Sequence, residues 1–177
     1  MAGPHLSLTP EIEGLRRQFD ALSADADALV TPLTDEEFLR PPPQGGWSVA
    51  LCLDHLNTAA RAYLPRLDEA IADAIRRGLY GDGPYSYGWF ARFFIRSMEP
   101  PPRFRTKAPA VFQPPPARTR HEIVAAFRAY QVQYIDRLRQ ANGLDLQRAK
   151  VISPVSKWMR LPMGAAFAAI TAHERRH

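Results

Sequence analysis

The sequence closes on His173-Glu174-Arg175-Arg176-His177, and one further histidine, His55, stands far upstream. Two histidines four apart on a helix project from the same face, because 3.6 residues complete a turn. That spacing lets one helix offer two imidazoles to one metal ion. A third imidazole would complete a three-histidine site, which keeps coordination positions open for water or substrate. His55 is the candidate third ligand, alongside His173 and His177. The closing residues also match the H-E-x-x-H pattern of zinc peptidases, in which Glu174 would activate the attacking water. Those enzymes take a third ligand from downstream residues, whereas this sequence stops at His177. The bland alternative is a terminal helix carrying two solvated histidines. Against it, His173 continues the face of Ala166 and Ile170 and should point inward. Asp54 and Glu174 adjoin candidate ligands and could orient one or act as a base, although adjacent helix positions diverge by about 100°. His5 reads as a tail residue and His121 as part of an exposed first helical turn.

Four helices must position these groups. The first opens at Thr9-Pro10, and Ile12, Leu15, Phe19, Leu22, Ala26, Leu29 and Leu33 form its apolar stripe. Pro41-Pro42-Pro43 forces a break. Ser48 caps the second helix, with Trp47 before it placed as a hydrophobic staple. Its inner stripe runs from Cys52 through Leu56, Ala59, Tyr63 and Leu67 to Ala74, Pro65 is a potential kink, and Gly78 ends it. His55 falls on the flank of that stripe. Residues 79–118 are rich in proline and hold one aromatic knot, Tyr85 to Phe94, read as a short helix. Such a long connection would close over the site, cap one end of the bundle or form a dimer interface. Thr119 and Glu122 make a capping box for the third helix, with Ile123, Phe127, Tyr130, Tyr134 and Leu138 inward and Asn142-Gly143 at its close. A connector with a strand-like Val151-Ile152 leads to Pro162 and the fourth helix. The expected fold is all-α: one four-helix-bundle domain over residues 1–177, with a long Pro-rich, aromatic-containing insertion between the second and third helices.

Composition narrows the functional classes. Of 177 residues, 46% are hydrophobic and 23% charged, as in an ordinary globular protein. No apolar run approaches the ~20 residues needed to cross a bilayer, and no signal-peptide core opens the chain, so a cytoplasmic location and no membrane partner are expected. The single cysteine, Cys52, excludes an internal disulfide framework and a cysteine-rich zinc site. A net charge of +5 raises nucleic acid as a partner, but the arginines fall in scattered pairs beside acids, and no nucleic-acid binding is expected.

Gly46-Trp47-Ser48 followed by His55-Leu56 on a helix, then Pro162-Met163-Gly164-Ala165 leading to His173-Glu174-Arg175-Arg176-His177, resembles the DinB-like superfamily from about residue 10 to the end. The resemblance implies a four-helix bundle in which His55, His173 and His177 bind a divalent metal ion, whether zinc, nickel or iron. It also implies a transferase or isomerase that uses a low-molecular-weight thiol such as bacillithiol or mycothiol, or a hydrolase. The expected function is a metal-dependent enzyme that activates a thiol or water for attack on a small electrophilic substrate. The alternative is a non-catalytic helical protein whose metal staples helices together or has been lost. A homodimer is a further expectation.

Overall fold

A computed structural model describes residues 7–101, 108–114 and 118–177; His5 lies outside them. The first helix, α1, spans Pro10–Val30, with proline in the first turn where a backbone N–H would lack a partner. Ile12, Leu15, Phe19 and Leu22 are buried as the periodicity requires, but Leu29 is 50% exposed and the helix ends before Leu33. A second capping box is the reason it ends there. The Thr34 side chain accepts from the Glu37 backbone N–H while the Glu37 carboxylate accepts from the Thr34 N–H, which opens the short helix α2, Asp35–Leu39, and buries Phe38.

Helix α3 spans Val49–Arg76, and Ser48 Oγ caps it by accepting from the Leu51 N–H at 3.2 Å. It runs unbroken through Pro65, which lies on its exposed side. Helix α4, Trp89–Met98, is the aromatic knot, and a single 3₁₀ turn follows at Ala110–Phe112. Helix α5, Arg120–Gln140, begins at the expected Thr119–Glu122 capping box. Strands β1, Lys150–Ile152, and β2, Arg160–Pro162, pair antiparallel with Val151 opposite Leu161. Helix α6 covers Met163–Arg176.

Among the described residues the chain is therefore mostly helical, with six helices and one two-stranded sheet. The main core joins Ile12 and Phe19 of α1, Leu64 and Leu67 of α3, Tyr134 and Leu138 of α5, and Met163 and Phe167 of α6. A smaller cluster around Phe38 gathers Val30, Leu53, Ile123 and Phe127. Helix α3 packs most broadly on α5, whereas α6 lies mainly against α4 and α1. The long connection is tied down by two phenols. Tyr85 donates to the Leu144 carbonyl at 2.9 Å, and Tyr87 donates to Glu11. The Tyr87 hydroxyl occupies the space beside Gly164, where a Cβ would stand 1.7 Å from it, so no other residue fits at the start of α6 without displacing that ring. No helix among the described residues is long and apolar enough to cross a membrane.

Exposure separates two leucines that share one sequence pattern. Leu67→Ala removes a side chain with no exposed surface and should cost about 2–5 kcal/mol. Leu29→Ala should stay within about 0.5 kcal/mol. Urea unfolding midpoints of the two variants check the contrast.

Candidate metal centre

His55 lies in the second turn of α3 and is only 2% exposed, so it sits inside rather than on the flank. His173 belongs to the last turn of α6 and is half-buried; His177 follows that helix and is exposed on its outer side. The three rings form a nearly equilateral triangle, with centroids 5.0, 4.7 and 4.8 Å apart. Their candidate ligand nitrogens all lie within 4.8 Å of one another. A point within about 2.8 Å of all three therefore exists, close to the ~2.0–2.1 Å of a zinc–nitrogen bond. His55 Nε2 and His173 Nε2 are 3.2 Å apart. Nitrogens bound tetrahedrally to one zinc ion stand about 3.3 Å apart, so this pair already has a ligand spacing.

Orientation is fixed from behind. His55 Nδ1–H donates to the Phe112 carbonyl at 2.7 Å, which leaves Nε2 as the free lone pair facing the other two rings. That carbonyl ends the 3₁₀ turn, whose Phe112 ring stacks on Tyr63 with centroids 5.9 Å apart. Trp47 covers the remaining side: its indole stacks on His177 at 5.8 Å and meets the His55 ring edge-on at 5.0 Å. The last turn of α6 is clamped to the end of α4, because Arg175 pairs with Glu99 and Arg176 donates to the Ser97 carbonyl at 3.1 Å.

Burial makes these rings neutral. It drives the His173 pKa down to about 3 and that of His177 to about 4, and the neighbouring imidazoles add to both shifts. His55 is also lowered by burial, partly opposed by its bond to Phe112. Neutral imidazoles with converging lone pairs are the form that binds a metal, so the donor set fits a divalent ion.

The other sequence candidates fall elsewhere. Asp54 is buried and pairs with Arg118 at 2.8 Å, tying α3 to the residues that enter α5. Glu174 turns toward α5, where both carboxylate oxygens accept from Gln131 Nε2 at 3.0 Å. Burial pushes its pKa up to about 8, against the opposing effects of Gln131 and Arg175. His121 is exposed, as expected. Phe112, Arg118 and Gln131 are the contributors that motif spacing does not announce, and Trp47, part of the segment leading to His55, reads there only as a staple. Trp47 has a signal in its position just before the helix cap, but a backbone carbonyl such as that of Phe112 leaves none.

Above the triad opens a cavity of about 770 Å³, walled mainly by apolar side chains such as Ala59, Phe94, Met98, Phe112, Met159 and Ile170. Such a volume suits a small molecule. A three-imidazole set at the edge of an open, apolar chamber can hold a cation and present its free face to a ligand.

A sequence model of the DinB superfamily matches residues 18–177. No curated protein and no solved structure matches the chain.

The depressed imidazole pKa values give a signed pH dependence for the metal-free protein. The unfolded chain takes up protons near pH 6.5, the folded chain only near 3 to 4 at His173 and His177. Between those limits the unfolded state binds more protons, so stability falls as pH falls. Glu174, raised to about 8, opposes this by taking up its proton earlier in the folded chain, but the two imidazoles outweigh it. Melting temperatures measured in chelator from pH 7 to 4 should drop, and His173→Ala should flatten the slope.

Proposed function

Because the chain belongs to the DinB superfamily, we propose that it is a divalent-metal-dependent enzyme whose His55, His173 and His177 hold the ion and whose apolar cavity holds a small electrophile. The observation that carries this is the convergence of three neutral imidazoles at a chamber large enough for a substrate. A cation there supplies Lewis acidity, lowering the pKa of a thiol or water so that its anion is available near neutral pH. Everything else falls to the protein. Phe112 and Trp47 fix the ring orientations, so the ligand lone pairs are preorganised. Phe94, Met98 and Met159 exclude water and favour an apolar substrate face.

In this reading the four long helices are the bundle frame, and residues 79–118 are an insertion that supplies one wall of the chamber and the carbonyl behind His55. Glu174 acts as a positioning residue: largely protonated at neutral pH, it is a poor base there, and its bond to Gln131 seats α6 on α5. Thiol transfer and hydrolysis share the same first requirement, an activated nucleophile beside the electrophile. The transferase reading is preferred on family grounds, and a single-ion site per chain serves either.

Metal analysis of purified protein tests this directly. Wild type should retain one divalent ion per chain; His177→Ala should lose it with little change in the melting temperature measured in chelator, and the buried His55→Ala should lose it with a modest fall while staying folded. Conjugation of a thiol to 1-chloro-2,4-dinitrobenzene should fall to background in both variants. Unfolding on loss of the ion would instead mark a structural staple.

A further inference from the structure

Two phenols interrupt the apolar walls of the large cavity, Tyr63 and Tyr134. The Tyr63 hydroxyl already has Ser153 as a partner. Tyr134 differs. It is 1% exposed, on α5, and its ring is held against Phe19 with centroids 5.1 Å apart and planes at 22°. Among the described residues its hydroxyl has no hydrogen-bond partner, and Tyr134 is one of the residues that line the cavity. A donor held in an apolar wall without an acceptor is costly, and a ligand oxygen would relieve that cost.

The wall also limits the charge of that ligand. Among the described residues that line it, the one arginine is Arg176, which donates to the Ser97 carbonyl, and none is a lysine. A carboxylate would cost more to desolvate among these side chains than a neutral carbonyl oxygen, and the phenol can donate to either.

We propose that Tyr134 is a ligand-binding residue, donating its phenolic hydrogen to a carbonyl-type oxygen on an uncharged, otherwise apolar small molecule. Its rigid stacking on Phe19 fixes where that oxygen must lie, so the cavity selects ketones, aldehydes or esters over hydrocarbons of the same shape. The proposal rests on the cavity being the substrate chamber, but not on the ion.

Three probes of matched shape separate the possibilities: acetophenone, its hydrocarbon analogue α-methylstyrene, and benzoate. Affinities are measured by quenching of intrinsic tryptophan fluorescence, in chelator, for wild type and Tyr134→Phe. The variant should bind acetophenone roughly fivefold more weakly, the worth of one neutral hydrogen bond, with α-methylstyrene unchanged. In the wild type, carbonyl-¹³C acetophenone should show its resonance moved downfield of its position in an alkane, as a hydrogen-bonded carbonyl does. Benzoate should bind more weakly than acetophenone. Equal weakening of ketone and hydrocarbon, an alkane-like carbonyl resonance, or preference for benzoate would each overturn the proposal. Metal retention is scored separately, so a chain that keeps its ion but fails these tests loses only the Tyr134 assignment.

Discussion

Three imidazole rings gathered around one point are the constraint around which this molecule is arranged. Their centroids stand 4.7 to 5.0 Å apart, and His55 Nε2 and His173 Nε2 approach to 3.2 Å. Such an arrangement persists only where the rest of the fold over-determines it. Helices α3 and α6 contribute little direct contact to that task, since α3 leans on α5 and α6 on α4 and α1. The geometry is instead imposed from outside the triad. The Phe112 carbonyl fixes one ring, Trp47 backs two, and the Arg175–Glu99 and Arg176–Ser97 contacts hold the closing turn.

That dependence gives the long connection between α3 and α5 a physical role. Its 3₁₀ turn holds the carbonyl that selects the His55 tautomer, and its α4 helix supplies both cavity wall and clamp. Tyr85 and Tyr87 anchor its first part to the body of the protein, the latter across the space beside Gly164. A segment that orders the His55 ring cannot drift freely without loosening the three-histidine cluster. The chamber and the donor set are thus products of the same stretch of chain, and a change in one is expected to be felt in the other.

The helical frame was legible because its signals are local. Capping residues at Ser48 and Thr119 and the stripes of Phe19, Leu67 and Leu138 identify where helices start and which faces are buried. Two of the three clustered histidines were legible for a related reason: His173 and His177 stand four apart, so their approach is a matter of spacing, whereas His55 is joined to them by the family resemblance. What the sequence withheld depends on distance along the chain. Leu29 fits the α1 stripe yet faces solvent, because Val30, four residues after Ala26, takes the inward position in the last turn. The Asp54–Arg118 and Glu174–Gln131 pairs join residues with no periodic relation, and the partner of His55 is a backbone carbonyl, identical at every position.

Glu174 shows how far a letter-for-letter pattern can travel from the chemistry it denotes. In a zinc peptidase the glutamate of H-E-x-x-H must be ionised and must face the attacking water. Here the residue follows His173 by one position, about 100° around the helix, and both its oxygens meet the Gln131 amide on α5. Its surroundings raise its pKa to about 8, so at neutral pH it is mostly an acid with its proton in place. Full burial beside an amide is the environment of a group that joins two helices, and deprotonation there would leave a charge that only Gln131 and the more distant Arg175 could offset. The same five residues thus bring two histidines to the cluster from positions 173 and 177 while the glutamate between them meets Gln131. Which neighbour each side chain meets decides its chemistry, and that is set by how α5 and α6 dock.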